Sequence, residues 1–178
     1  MTPPLRSGKR ALRINVGHIL RQDNGYSREV IIDIPQPFHI EDVLFTNLDG
    51  TIRLSRTPPG VLVQGTMIAG INTQCVRCLT SFEYPFEITI NELFVPHNSE
   101  NAHTVNSMFH ISEGSEIDLA PIVREEGILA LPIQTLCSPD CSGLCSQCGQ
   151  NLNEGTCDCE QESIDPRLEV LRSLLEDK

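Results

Sequence analysis

The stretch from Cys137 to Cys159, CSPDCSGLCSQCGQNLNEGTCDC, holds six of the chain's eight cysteines within 23 residues. The other two, Cys75 and Cys78, form a CxxC far upstream. Cysteines paired a few residues apart on tight turns are the hooks from which four-thiolate metal sites are built. Four hooks are present: Cys75/Cys78, Cys137/Cys141, Cys145/Cys148 and Cys157/Cys159. Together they make two complete four-cysteine sites with no ligand left over. Cys157 and Cys159, one residue apart, suit a single tetrahedral centre better than a disulfide with each other. Gly149 after Cys148 permits a sharp turn, and Pro139, Asp140, Gly143, Asn151, Asn153 and Gly155 punctuate the remaining loops. Two structural Zn2+ ions are the expectation, against an iron–sulfur cluster, disulfides or redox thiols.

Intact hooks pair in only three ways. Joining Cys145/Cys148 to Cys157/Cys159 closes an eight-residue loop, the choice with the lowest closure entropy. That leaves Cys75 and Cys78 with Cys137 and Cys141. Joining Cys137/Cys141 to Cys145/Cys148 is also local, but a three-residue gap makes it cramped.

The totals narrow the function classes. A chain of 178 residues accommodates one sizeable core and a small appendage. There is no tryptophan and aromatics are 4%, so the core must be aliphatic. No run approaches the ~20 apolar residues of a membrane span. The opening MTPPLRSGKR lacks the apolar stretch of a secretory signal, so a cytoplasmic setting with reduced, metal-ready thiols is expected. Net charge is −11, unevenly spread. Residues 1–80 carry nine Lys and Arg against six Asp and Glu, whereas residues 81–178 carry four against eighteen. Phosphate binding depends on cationic side chains, so any direct RNA contact would fall in the first half.

Three regions are expected: a basic leader over 1–11, an α+β body over 12–134, and a Cys-rich zinc-binding appendage with a C-terminal helix over 135–178. Ala11 to Gln22 reads as a strand passing into a short helix with Val16, Ile19 and Leu20. Asp23-Asn24-Gly25 is a turn, and Arg28 to Ile34 a strand ended by Pro35. From about Phe45 to Val95 the pattern is an antiparallel meander that could close into a barrel-like sheet. Val61, Val63, Met67, Ala69 and Ile71 share one face at period two, as do Phe82, Tyr84, Phe86, Ile88 and Ile90. Gly65 and Gly70 suggest bends or bulges, and Cys75-Val76-Arg77-Cys78 falls at a hairpin tip. His97 to His110 reads as a surface loop whose His97, His103 and His110 are surplus to the metal count. His18 and His39 read as ordinary histidines. Glu116 to Pro132 is the strongest helix, with Asp118 as cap and Leu119, Ile122, Val123 and Leu129 as its apolar stripe. Glu125 and Glu126, adjacent on that helix, point apart and read as a solvated face. Asp165 and Pro166 open a last helix striped with Leu168, Leu171, Leu174 and Leu175.

Taken in order, CVRCL (Cys75 to Leu79), EIDLAPIVREEGILALP, LCSPDCSGLCSQCGQNLNEGTCDC and DPRLEVLRSLL resemble the bacterial and plastid YceD-like proteins, described as large ribosomal RNA subunit accumulation proteins. The resemblance covers most of the chain. It implies a non-enzymatic part in making or preserving 23S ribosomal RNA, with a ribosome-assembly or RNA-metabolism protein, or the 23S precursor, as partner, and no small-molecule substrate. It carries no catalytic residues over.

Beside that stand two further classes. A thiol redox enzyme or sensor would use Cys75 and Cys78 and needs an exposed, low-pKa thiol; Arg77 could supply the cation. A redox CxxC usually opens a helix, whereas this one follows a strand. A polymerase- or DNA-binding zinc module would need a basic recognition helix, and none lies near Cys145 to Cys159. A binding module using RNA only locally would rely on Arg53, Arg56 and Arg77.

Overall fold

The computed structural model describes residues 11–96 and 109–159. The leader, most of the loop up to His110 and the helix expected from Asp165 lie outside those residues. The chain divides into two compact units: Met1–Val76 with Thr80–Cys137, and Arg77–Leu79 with Ser138–Lys178.

The first unit is α+β. Strand β1 (Arg13–Asn15) leads into a single helical turn, α1 (Gly17–Leu20). Strands β2 (Ser27–Ile34) and β3 (Phe38–Ile40) precede three long strands, β4 (Val43–Thr57), β5 (Gly60–Gln74) and β6 (Ser81–Pro96). Two short strands, β7 (His110–Ile111) and β8 (Glu116–Asp118), then lead to helix α2 (Ala120–Ala130). The main sheet runs β2-β4-β5-β6-β7, with β3 also paired on β4, while β1 and β8 form a separate pair. All pairings are antiparallel except β6 with β7. The end strands β2 and β7 do not meet, so the sheet is open and not a closed barrel.

The meander follows from period-two patterning. Val61, Val63, Met67 and Ala69 on β5 and Phe86, Ile88 and Ile90 on β6 are buried on one face. They meet Phe45, Ile52 and Leu54 of β4 in one apolar core, as antiparallel sheets with one wetted face require. It is not purely aliphatic, since Phe38, Phe45, Phe86 and Phe94 are all buried in it. The β4–β5 hairpin turns through Pro58-Pro59, and Arg56 Nη1 donates to the carbonyls of Thr57 and Gly60, the latter at 2.9 Å. Register is continuous through Gly65; the irregularity falls on β4 between Phe45 and Asn47, opposite Gly70. Gly70 thus marks a bulge in its neighbour, and Gly65 marks none.

Two details of α2 depart from the sequence pattern. Asp118 belongs to β8, paired with Arg13, and the helix begins two residues later. Asp118 still serves the helix start, because Oδ1 accepts the Ala120 N–H at 3.0 Å, a local carboxylate–backbone bond that suits this residue type. Leu129 is 76% exposed. The face that packs is the i, i+4 row Leu119, Val123 and Gly127, flanked by Ile122. Gly127 lies over the Phe45 ring so closely that a Cβ would stand 3.1 Å from Cζ and 3.2 Å from Cε1. The absence of a side chain lets the helix settle on the sheet, a signal that hydrophobicity patterns cannot register. At the turn before β4, Arg124 Nε reaches Asp42 Oδ1 at 2.6 Å and Glu41 Oε2 at 3.4 Å.

Gly127→Val should therefore destabilise the fold by about 2 kcal/mol through overpacking, whereas Leu129→Ser should shift stability by no more than about 0.5 kcal/mol. Denaturant unfolding of both variants checks this. The opposite ranking would show that Leu129, not Gly127, belongs to the packed face.

Candidate metal centres

Strand β5 ends at Gln74, and the chain turns through Cys75 to Leu79 before β6. The Cys75 N–H donates to the Thr80 carbonyl at 3.0 Å, closing the tip, and Leu79 takes φ 57°. The Val76 N–H donates to the Thr135 carbonyl at 3.0 Å, while Thr135 Oγ1 donates to the Gln74 carbonyl at 2.9 Å. These bonds hold the stretch after α2 beside the strand end. Cys75 and Cys78 are 0% and 5% exposed.

The second unit is built on hydrogen-bonded loops. Arg77 Nη1 donates to the Cys141 carbonyl at 3.0 Å. The Cys141 N–H returns to the Ser138 carbonyl at 3.1 Å. A miniature hairpin carries Cys145 and Cys148: Leu144 bridges Asn151, Cys145 N–H donates to the Gln150 carbonyl at 2.8 Å, and Gly149 N–H to the Cys145 carbonyl at 2.9 Å. Gly149 sits at φ 74°, which a side chain would resist. Of the described residues after Cys137, only Cys141 and Gly143 are buried. Apolar burial is therefore too small to hold this segment, a deficit that small domains meet with a metal or with disulfides.

The sulfurs fall into two groups. The Sγ atoms of Cys75, Cys78, Cys137 and Cys141 lie within 4.8 Å of one another, and so do those of Cys145, Cys148, Cys157 and Cys159. A regular four-thiolate zinc site, with bonds of about 2.3 Å, has sulfurs about 3.8 Å apart. Both groups fit a metal ion on that measure. The electrostatics of the second group agree. Backbone N–H groups of Cys148 and Gln147, with the Cys157 thiol, bring Cys145 down to about 6. Cys159 is pushed up to about 12, chiefly by its bond to Cys148 and by burial. At Cys157 the Cys159 N–H favours the thiolate, but the bond to Cys145, burial and Cys148 outweigh it and the thiol is raised. Without a cation one sulfur ionises at the expense of its neighbours, and a divalent ion removes that conflict by charge.

A residue outside the cysteine pattern serves the first group. Asn153 Nδ2 donates to Cys141 Sγ at 3.3 Å, while Asn153 Oδ1 accepts the Ser142 N–H at 2.8 Å. Asn151 Oδ1 in turn accepts the Asn153 N–H at 3.1 Å. The sequence marks these asparagines only as turn formers; their role as support for a ligand shell depends on a fold that brings residue 153 back to residue 141. His18, His39 and His110 are exposed and join neither group, and His97 and His103 lie outside the described residues. Glu125 and Glu126 likewise join no metal-sized group. Arg53 donates to Ser27 Oγ at 2.9 Å, and Arg56 and Arg77 to the backbone carbonyls named above. The three arginines proposed for local RNA contact are thus each engaged within the chain. No helix among the described residues is long and apolar enough to cross a membrane.

A family model described as "Large ribosomal RNA subunit accumulation protein YceD" matches residues 63–175, a span containing all eight cysteines. An uncharacterized protein of Mycobacterium leprae is 35% identical over 108 residues, 60% of this chain and 48% of that protein. The uncharacterized protein YlbN of Bacillus subtilis is 36% identical over 102 residues, 57% of this chain and 58% of its own. A chloroplastic protein of Arabidopsis thaliana, YCED homolog 1, is named a large ribosomal RNA subunit accumulation protein. It is 38% identical over 64 residues, 36% of this chain and 20% of the plant protein. The matches thus span about half the length of the first two relatives. No solved structure matches the chain.

The sulfur electrostatics give a sign for metal uptake. With Cys159 near 12, its proton is still bound at neutral pH and must leave when an ion enters. Zn2+ added to the metal-free chain at pH 7 should therefore release protons, and its apparent affinity should fall as pH is lowered from about 8 to about 6. Titration in weakly buffered dye solution, with competition against a chelator, measures both. An affinity flat across that range would contradict thiolate ligation.

Proposed function

The chain belongs to the YceD family of large ribosomal RNA subunit accumulation proteins, and from that premise we propose that it is a zinc-stabilised binding factor supporting 23S ribosomal RNA accumulation. The observation that carries the reading is the coincidence of the family match with both sulfur groups: residues 63–175 enclose Cys75 to Cys159. Cys75, Cys78, Cys137 and Cys141 would hold one Zn2+, and Cys145, Cys148, Cys157 and Cys159 the other. Each ion would supply a tetrahedral cross-link and charge balance, not a reactive centre, since four thiolates leave no open position.

A non-enzymatic role fits this donor set. Redox use of Cys75 and Cys78 needs an exposed thiol, and their burial argues for a structural part instead. The acidic balance of the chain favours a protein partner of the assembling large subunit, with the 23S precursor reached through it. The cytoplasm, or its plastid equivalent, is the compartment where such a factor and reduced thiols meet.

Deleting the gene should lower mature 23S RNA relative to 16S RNA. A tagged chain should retain large-subunit proteins or 23S precursor, read by mass spectrometry and sequencing of the bound fraction. Normal 23S levels after deletion, with no large-subunit component retained, would refute the reading. The two ions should also do different work. Cys75→Ser should lower the melting temperature of the β-sheet body, because a structural zinc site is worth on the order of 10 kcal/mol in apparent folding energy. Cys145→Ser should disorder mainly the segment after Cys137. Each variant should retain one of two zinc ions by metal analysis; loss of both from either would break the assignment of separate sites.

A further inference from the structure

Strand β2 is the edge of the main sheet, with β4 on one side and no strand on the other among the described residues. The Arg56 N–H donates to the Tyr26 carbonyl at 2.8 Å, which sets the phase of the ladder. Counting along the register from that pair, Arg28, Val30, Ile32 and Ile34 turn their backbone groups toward β4. Ser27, Glu29, Ile31 and Asp33 turn theirs to the free side. Four residues of outward N–H and C=O groups make a template for another strand.

The two sides of this edge differ in chemistry. Along the core side runs a groove of about 320 Å³ lined by Ile19, Val30, Ile32 and Leu54, with Arg13 and Arg28 also at its wall. On the wetted side Glu29, Ile31 and Asp33 are exposed, with Ile31 at 75%. Asp33 stands directly opposite Asp49, a like-charge cross-strand pair that destabilises a sheet. The row continues through Ile68, 56% exposed, to Glu87. This wetted face carries Glu29, Asp33, Asp49, Glu83 and Glu87 against Arg53.

We propose that β2 receives an extended basic peptide as an added strand. Successive side chains of a strand point to opposite faces, so alternate residues of the peptide divide between the two environments. Aliphatic ones enter the groove beside Val30 and Ile32; lysines or arginines lie over Glu29 and Asp33 and relieve the Asp33–Asp49 repulsion. Main-chain bonds supply affinity and the alternating side chains supply selectivity. A second copy of this chain fits the edge poorly, because antiparallel pairing of two β2 strands about Ile31 sets Glu29 against Asp33 of the other copy. Peptide capture is independent of the ribosomal reading, since it is measured without RNA.

The test uses the full, metal-loaded chain and a capped, fluorescein-labelled octapeptide alternating lysine and valine. Fluorescence anisotropy should show saturable binding that weakens with salt. A glutamate–valine octapeptide, and a lysine–valine one with a central proline, should bind more than about tenfold more weakly. Asp33→Lys should weaken the lysine–valine peptide by about tenfold, and Ile31→Pro, which removes an outward N–H, should abolish binding. Thermal melting tells whether Ile31→Pro folds; should it not, Asp33→Lys carries the test. Absence of binding, equal binding of either control peptide, or unchanged affinity in Asp33→Lys overturns the proposal. So does a concentration-dependent dimer that blocks the peptide, which would assign the edge to a second copy.

Discussion

Four sulfurs held within 4.8 Å of one another cannot all be thiolates without a cation among them, and this constraint governs the Cys-rich half of the molecule. The described residues after Cys137 bury almost no apolar surface, so burial cannot hold their loops. Hydrogen bonds shape the turns, from the Gly149 N–H on the Cys145 carbonyl to Asn153 on the Cys141 sulfur, but each contributes only about 1 kcal/mol net. A metal ion bound by four sulfurs acts on a different scale. The body is the opposite case. Its core is apolar and continuous from β4 to β6 and α2.

Much of the architecture was legible because it follows from period. The meander between Phe45 and Val95, the one-sided burial of β5 and β6 and the placement of the CxxC at a strand end all derive from alternation and turn residues. What escaped has specific causes. A glycine has no hydropathy, so Gly127 was invisible as the packing centre of α2, and Leu129, correctly spaced but at the last turn, took its place. Asp118 has the chemistry of a cap and accepts the Ala120 N–H, yet Leu119 holds the N-cap position and the backbone of Asp118 belongs to β8, with Arg13 opposite. Barrel closure could not be judged from strand count, since it depends on where β2 and β7 end up. At the sulfur groups, loop length in the sequence and Sγ separation in the fold are two measures of one grouping. Asn153 was legible only as a turn residue, because its partner lies twelve residues back.

The distribution of positive charge has a similar lesson. Arg53, Arg56 and Arg77 make the first half look receptive to phosphate, but each is engaged within the chain. Arg56 in particular donates to the carbonyls of a hairpin whose Pro-Pro turn has no N–H to offer them. Basic residues that hold turns together are a scaffold, and what the exposed sheet face offers instead is carboxylate. An acidic, open-edged sheet is complementary in charge to a basic partner.

The pairing of β1 with β8 has a consequence for how the chain is made. The Arg13–Asp118 contact joins residues 105 apart in sequence, whereas the β4–β5 and β5–β6 hairpins close locally. At synthesis rates of about 5–20 residues per second, the first strand waits about 5–20 s for its partner. During that interval Leu12 and Val16, whose backbone groups end bonded to Leu119 and Ser115, lack those partners. The pairing of the first strand is therefore completed only after both long hairpins have been made, which leaves its backbone open to chaperone capture during translation.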